Sequence, residues 1–468
     1  MSWQKLPKQI VNITVILLLL AGCAFPLTPP VLPLTATPSM APITTALPTP
    51  AVIKQAMAYV SEGRLLLSTY RGANAPRTID SCPDSGWCFF ADLSWSPDGA
   101  NLVYLKTTES GSALRIVNRA GTVQTVIDQG DTLGFSFAPA WSPDGQALIY
   151  AVATPDILPG SGDETADNLV RVHGARQRTE LWVIQVPFRD SGHKIGHIYA
   201  RVGCGGAGYS ESEQIYWREG LGTFPHGYSS QRLAWLPTDL LLYSLTCLSS
   251  GIGRFNIKSG QELPPLDEAN LLAFTVDFPR QRWAAASQDN QLALGTSDQT
   301  AFALHRISGA TLTVGMPVTG TVQLSGLFFG PTSGHLYYTT RELLASTAIS
   351  DERYLDLMSG PMVIPFDFYR TSLFVIENAT VTQAKPLLQT DAYALANLTE
   401  TASGDLLFVR IDNGRAYYAA MQAGEPLDSV MRMRPKTQIM RLPSAGGAPE
   451  VLIDNAGQLA LSSAMSAQ

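Results

Sequence analysis

Three acidic residues and two histidines have the types and spacing that metal binding or hydrolysis requires. Asp163, Glu164 and Asp167 lie within one short polar stretch, and divalent cations prefer carboxylate oxygens. His193 and His197 are four residues apart, which on a helix would place both imidazoles on one face. The acidic stretch matches no calcium-loop pattern, and the histidines lack the intervening glutamate of zinc proteases. We therefore expect a solvated loop, surface histidines on a loop or strand, and no metal or other cofactor.

A serine nucleophile is the second chemistry to test. The stretch from Gly208 to Ser212 approaches the G-x-S-x-G turn of serine hydrolases, but a serine replaces the final glycine. No hydrolase domain is expected after it. We therefore assign no catalytic residue.

Five cysteines make an odd number, which in an exported protein calls for a special role for one of them. The close pair Cys82 and Cys88 is a candidate disulfide that staples a loop, and Cys204 with Cys247 is a candidate bridge between neighbouring strands or loops. The other two pairings remain open. A zinc site is disfavoured because the four cysteines lack paired C-x-x-C spacing.

Residues 1–22 are typical of a secretory signal, in which two lysines precede an apolar run that ends at Leu20. The run is too short to span a bilayer stably. Its end, Leu-Ala-Gly-Cys, resembles the lipobox of bacterial lipoproteins. The resemblance implies that Cys23 is lipidated and becomes the first residue of the mature chain. An ordinary signal peptide and an N-terminal membrane helix are the alternatives.

Residues 23–54 form a Pro/Thr-rich linker in which no charged residue precedes Lys54. This composition cannot build a core and predicts a disordered, extended spacer of polyproline type. The spacer would hold a domain, residues 55–468, away from the membrane. We therefore expect an extracytoplasmic lipoprotein attached to a membrane of the bacterial cell envelope.

A short sequence repeat predicts where strands and turns of the domain lie. The pentapeptide Trp-Ser-Pro-Asp-Gly occurs twice, about 46 residues apart. Each copy predicts a strand that ends at the tryptophan, a tight turn, and an alternating apolar strand. Proline presets φ at the turn and glycine accepts a positive φ, so the aspartate serves the turn. The residues with this structural role are Trp95, Pro97, Asp98, Gly99, Trp141, Pro143, Asp144 and Gly145.

Weaker copies of the repeat follow, and their spacing matches a propeller blade of four short strands. Residues 57–79 lack a first strand, which residues 458–464 would supply from the other chain end. Together with the shared blade, the blade starts predict seven blades, with six or eight as alternatives. The starts lie near residues 95, 141, 235, 277, 329 and 399.

These turns resemble the WD-like repeats of TolB-type β-propellers. The resemblance covers about residues 55–464 and is specific at the two pentapeptides. It implies an all-β propeller of about seven four-stranded blades. TolB carries an additional α/β domain before its propeller, whereas this spacer leads almost directly into strands, so the chain looks like a lipid-anchored relative in fold.

Composition and loops limit the function. The net charge is −7 and no Lys/Arg-rich run occurs, so we expect no nucleic-acid partner. Aromatic residues at blade starts are expected to pack between blades rather than stack on sugars. We predict a non-enzymatic binding or scaffold protein for an envelope protein or glycan. The alternative is a hydrolase or lyase whose site at the channel mouth uses loop carboxylates and histidines.

Overall fold

The computed structural model describes most of the region beyond residue 54. The described residues are 55–128, 137–158, 176–201, 233–244, 252–264, 271–313 and 322–463, without 73, 84, 87, 278–279, 281, 288–290, 297–304, 357–359 and 378–383. None of the helices in these ranges is long and apolar enough to cross a membrane.

Seven four-stranded antiparallel sheets account for the strands of the described residues. The chain begins with β1 (Ala56–Ser61), β2 (Arg64–Thr69) and β3 (Arg77–Ser81). Blade 1 contains β4 (Cys88–Trp95), β5 (Asn101–Thr108), β6 (Gly111–Asn118) and β7 (Val123–Asp128). Blade 2 contains β8 (Ala140–Trp141), β9 (Ala147–Leu158), β10 (Arg176–Gln185) and β11 (His193–Arg201). Blade 3 contains β12 (Leu233–Leu236), β13 (Leu240–Ser244), β14 (Ile252–Asn256) and β15 (Gln261–Leu263).

The remaining strands complete the ring. Blade 4 contains β16 (Leu271–Asp277), β17 (Arg282–Ser287), β18 (Gln291–Thr296) and β19 (His305–Thr313). Blade 5 contains β20 (Val322–Phe329), β21 (Leu336–Asp356), β22 (Gly360–Ile376) and β23 (Lys385–Thr390). Blade 6 contains β24 (Ala394–Glu400), β25 (Leu406–Ile411), β26 (Gln438–Leu442) and β27 (Glu450–Asp454). The last strand, β28 (Ala456–Leu461), joins β1, β2 and β3 in blade 7.

The fold is therefore a β-propeller, as the sequence predicted. The first strands of blades 1 to 6 end at or next to the predicted blade starts, and the described part of the interval from 141 to 235 contains a single sheet before β12. Apolar side chains fill the spaces between neighbouring blades. One such cluster joins Val103 and Ile116 of blade 1 to Leu148 and Ile184 of blade 2.

Blade 7 is closed by both ends of the domain. β28 pairs with β1 in antiparallel register, with Met57 opposite Leu461 and Tyr59 opposite Leu459. Beyond the pair, the hydroxyl of Ser462 accepts a 2.9 Å hydrogen bond from the backbone N–H of Ala56. The C-terminal strand thus supplies the first strand of this blade and pairs with the edge of β1 that would otherwise be open.

The two ends of the propeller differ in the length of their connections. Because the strands of a blade alternate in direction, the turns after its first and third strands share one end, which we call the turn face. Connections between the second and third strands, and those between blades, lie at the other end, which we call the insertion face. In blade 2, residues 159–175 separate β9 from β10, and residues 202–232 separate β11 from β12 of blade 3.

Blades 5 and 6 carry the described insertions. β21 and β22 are 21 and 17 residues long, and their pairing continues to Asp356 and Gly360 as a two-stranded ribbon. Between β25 and β26 the chain forms α1 (Arg415–Gln422) and α2 (Leu427–Met431). Neither helix was expected from the sequence.

Candidate functional site

The two pentapeptide turns hold their aspartates in matching networks. Asp98 Oδ1 accepts hydrogen bonds from the Ser96 hydroxyl at 2.5 Å and from the Ala100 N–H at 3.0 Å. In the second copy, Asp144 Oδ1 accepts equivalent bonds of 2.6 and 3.0 Å. The hydrogen bond from Ser142 is the main cause of a lowered pKa at Asp144. Gly99 and Gly145 have φ values of 68° and 71°, which favour glycine.

The aromatic residues at the blade starts are buried. Trp95 and Trp141 are each 8% exposed, and Trp235 and Phe329 are as well buried. The indole N–H of Trp95 donates to the carbonyl of Ala460 in blade 7 at 3.3 Å. These side chains pack between blades and present no aromatic surface on which a sugar ring could stack.

The predicted histidine pair lies on a strand. His193 begins β11 and is exposed, while His197 is half-buried and packs edge-on against Tyr199. Within the described residues, no group of three His, Cys, Asp or Glu side chains is placed to hold a metal ion. Several predicted positions lie outside those residues: Cys23, Cys204, Cys247, Asp163, Glu164, Asp167 and the stretch 208–212.

Cys82 and Cys88 form a disulfide. Cys82 directly follows β3, the outer strand of blade 7, and Cys88 begins β4, the inner strand of blade 1. The bridge therefore staples the connection between two blades on the insertion face.

A cavity of about 390 Å³ opens beside this disulfide. Small-molecule sites generally measure about 300–1,000 Å³ and carry a few convergent polar groups. Its wall is formed by the loop that begins at Cys82 and by polar side chains from β5, β6 and β7. Its main lining residues are Ser81, Cys82, Lys106, Ser110, Arg115 and Asp128.

Two cations and a tyrosine converge on Asp80 behind the cavity wall. The carboxylate is 9% exposed and accepts hydrogen bonds from Lys106 Nζ at 3.0 Å and Arg115 Nη1 at 2.5 Å. It also accepts a 2.9 Å bond from the Tyr104 hydroxyl. Burial, followed by the charge of Asp80, raises the pKa of Tyr104, so this phenol remains a neutral donor.

This cluster was not predictable from the sequence because its members come from three strands and two blades. Tyr104 and Lys106 lie on the same face of β5, since alternate residues of a strand share a face. A lysine directly after the apolar run Leu102–Leu105 of β5 was the available signal. Nothing in the spacing tied it to Asp80 or Arg115.

The ribbon and the helical insertion brace each other on the insertion face. Phe366 of β22 packs in one buried cluster with Leu427 and Val430 of the helical segment. The side-chain amide of Asn413 donates to the carbonyls of Tyr369 and Asp391. The ribbon of blade 5 and the helices of blade 6 therefore pack together and project jointly from the insertion face.

The known proteins that are similar to this chain are similar in fold alone. No protein-family model and no curated protein matches the sequence. The periplasmic gluconolactonase of Pseudomonas aeruginosa is similar in structure at 8% identity and a TM-score of 0.48, over 88% of this chain and 100% of that one. A prolyl endopeptidase matches at 12% identity and 0.45, over 86% of this chain but 50% of its own. TolB from Acinetobacter baumannii matches at 9% and 0.38, over 87% of this chain and 66% of its own.

Proposed function

We propose that this chain is a non-enzymatic, lipid-anchored binding platform of the bacterial cell envelope. A macromolecular partner, an envelope protein or a glycan, binds to the insertion face. Lipidated Cys23 and the Pro/Thr-rich linker connect the propeller to the membrane. The proposal rests on the sequence for the anchor and on the unequal faces of the propeller for the binding role.

The observation that carries the binding role is that the long insertions among the described residues lie on one face. The ribbon of blade 5 and the helices of blade 6 both project there, whereas the described turns between first and second strands are short. In proteins, the residues that bind a partner often lie on loops held by a rigid scaffold. The insertion face has the features of such a surface.

The turn face supplies rigidity. Glu400 of blade 6 is 1% exposed, and its Oε2 accepts 2.9 Å hydrogen bonds from the backbone N–H groups of Thr332 and Ser333 in blade 5. Asp405 of blade 6 accepts bonds from Tyr70 and Arg71 of blade 7 at 3.1 and 2.9 Å. Such buried links fix neighbouring blades, so the insertion face needs little reorganisation to bind.

Shortening the ribbon tests the proposal. Thr347 pairs with Phe366 across the ribbon, so replacing residues 348–365 with Asn-Gly leaves a two-residue hairpin turn and keeps Phe366 in its cluster. Cross-linking in native membranes should capture a partner with the intact chain and lose it with the shortened one. Ala445→Lys, in an exposed hairpin of the turn face, is the control that should retain the partner.

Two results would contradict the proposal. One is the absence of any specific cross-linked component with the intact, folded chain. The other is turnover of peptides or glycosides by the purified chain, which would favour the hydrolase or lyase alternative. If that activity disappears on replacing Asp163, Glu164 and Asp167, the acidic stretch belongs to the active site.

A further inference from the structure

We propose that Met421 and Met433 form a reversible oxidation site on the insertion face. Conversion of their thioethers to sulfoxides by a peroxide loosens the packing between the ribbon and the helices and thereby weakens binding of the partner. The effect on the partner rests on the function proposed above, whereas the oxidation and the loosening depend on no partner.

The structure describes the side chains of four methionines, and their burial divides them into two pairs. Met57 and Met440 are 5% and 4% exposed and pack in clusters between blades. Met421 and Met433 are only partly buried, and both pack against the cluster that joins the ribbon to the helices. Oxidation of a side chain follows its exposure to solvent. The accessible thioethers among these four therefore lie together at one place.

The cluster that both methionines cover is small. Its buried side chains among the described residues are Phe366 of β22 and Leu427 and Val430 of the helical segment, each at most 6% exposed. Phe366 comes from the ribbon, so the cluster connects the two insertions. Because few side chains build it, the loss of one at its edge removes a substantial part of the apolar contact.

The two methionines reach the cluster from different parts of the helical insertion. Tyr417 and Met421 are four residues apart on α1, so their side chains share one face of the helix. Met433 follows α2, and its backbone N–H donates to the carbonyl of Val430 at 3.1 Å. The Tyr417 hydroxyl donates to the carbonyl of Met433 at 3.4 Å. Oxidation of both thioethers therefore affects α1 and the segment after α2 together.

The reaction transfers one oxygen atom to sulfur. A sulfur lone pair attacks one oxygen of hydrogen peroxide, the O–O bond breaks, and the departing hydroxide removes the proton from the transferred oxygen and leaves as water. The sulfur is oxidised by two electrons, which the peroxide takes up, and the product is a sulfoxide. Burial of this polar group without a hydrogen-bond donor costs free energy. The sulfoxide side chains therefore turn toward water and no longer cover the cluster.

Peptide mass spectrometry of the full chain after hydrogen peroxide treatment measures oxidation at each methionine. Met421 and Met433 should gain one oxygen at least about tenfold faster than Met57 and Met440, which react only when the structure opens locally. Equal rates at all four methionines would overturn the proposal.

Hydrogen exchange measures the loosening. Exchange in residues 412–437 of the oxidised chain should accelerate about tenfold, because a buried polar group without a partner favours the open state. Exchange in the strands of blade 1 should stay unchanged. Methionine sulfoxide reductases for the two sulfoxide epimers should restore slow exchange. Unchanged exchange in a chain oxidised at both positions would overturn the proposal.

Leucine variants assign the effect to these two residues. Met421→Leu/Met433→Leu keeps a similar apolar volume and removes both thioethers, so untreated it should exchange as the parent does. Peroxide should not accelerate its exchange. Met57→Leu/Met440→Leu is the matched control, and peroxide should accelerate its exchange as in the parent. Acceleration in the first variant would assign the effect to another residue and refute this site.

Cross-linking in native membranes tests the effect on the partner. The oxidised parent should capture at least about tenfold less partner than the untreated parent, whereas oxidised Met421→Leu/Met433→Leu retains it. Equal capture by oxidised and untreated parent would refute control of binding by these methionines. If no form of the chain captures a partner, the proposed function fails, and mass spectrometry and hydrogen exchange still decide the oxidation site.

Discussion

The indole N–H of Trp141 donates a 3.2 Å hydrogen bond to the carbonyl oxygen of Ser94, the residue before the tryptophan of the preceding repeat. Trp95 makes the equivalent bond to Ala460, which precedes the last residue of β28. The same interblade bond therefore recurs from blade 2 to blade 1 and from blade 1 to blade 7. It also links blade 1 to the C-terminal strand β28.

Ser462→Ala is expected to lower the free energy of unfolding by about 1–2 kcal/mol, because the buried N–H of Ala56 loses its acceptor. Urea unfolding followed by circular dichroism measures the loss. Ser61→Ala removes an exposed hydrogen bond to the carbonyl of Asn455, which water can replace, and should cost less. An equal or smaller loss for Ser462→Ala than for Ser61→Ala would contradict a role in ring closure.

The free energy of unfolding should depend on pH through the ionisation of Asp405. Burial alone would raise the pKa of this carboxyl, but hydrogen bonds from the Ser444 N–H, Arg441 and Ser403 outweigh it and lower the pKa to about 2, from 3.8. A lowered folded-state pKa gives stability that is complete above pH 3.8 and is lost as the pH falls through 2. The shift corresponds to about 2 kcal/mol.

Asp405→Asn is accordingly expected to lower the free energy of unfolding at pH 7 by about 2 kcal/mol. The difference from the parent should shrink as the pH falls below 4, which denaturant titrations at several pH values can follow. Glu62→Gln changes a carboxylate that is 63% exposed and should alter stability little. A difference that stays constant down to pH 2 would show that the charge of Asp405 is irrelevant.

Reduction of the Cys82–Cys88 bridge is expected to lower the free energy of unfolding by about 2 kcal/mol, because the bridge closes a short loop in the unfolded chain. Urea unfolding with and without reductant measures the change. The Cys82→Ser/Cys88→Ser variant should match the reduced parent and ignore reductant. Full sensitivity to reductant in that variant would place the effect at another cysteine pair.

Gly414→Ala should loosen the helical insertion. A Cβ at this position would lie 1.7 Å from the carbonyl oxygen of Asp367, and the φ of Gly414 is 90°. Hydrogen exchange in residues 412–437 should accelerate markedly. Gly424→Ala, also at positive φ but with nothing within 4 Å of its Cβ, is the matched control with only the cost of its backbone conformation, about 1–2 kcal/mol. Equal acceleration in both variants would show that contact with the ribbon is unimportant.

Cys23→Ala should release the protein from membranes or leave an unprocessed precursor. Membrane fractionation and intact mass measure both outcomes. Unchanged mass and unchanged membrane retention would refute lipidation of Cys23.

Local turn chemistry made the ring predictable from sequence. Tryptophan, proline and glycine at fixed offsets mark where the first strands of blades 1 and 2 end, and even Gly404, in a much weaker repeat, has the positive φ of 80° that a turn requires. The candidate cavity was not predictable, because Asp80, Lys106 and Arg115 meet only when two blades pack. The helices of blade 6 were also missed, although α1, with the sequence RAYYAAMQ, is rich in good helix formers.

The Ser462 hydroxyl accepts a hydrogen bond from the N–H of Ala56, in the same way that the Ser96 hydroxyl accepts one from the N–H of Asn101 within a single turn. Four residues separate Ser96 from Asn101, and Ser463 and Gln55 already occupy two equivalent positions. A two-residue link from Ser463 to Gln55 would therefore complete the missing turn. The propeller could then be opened at the Ala445–Gly447 hairpin as a circular permutant that keeps every strand pair.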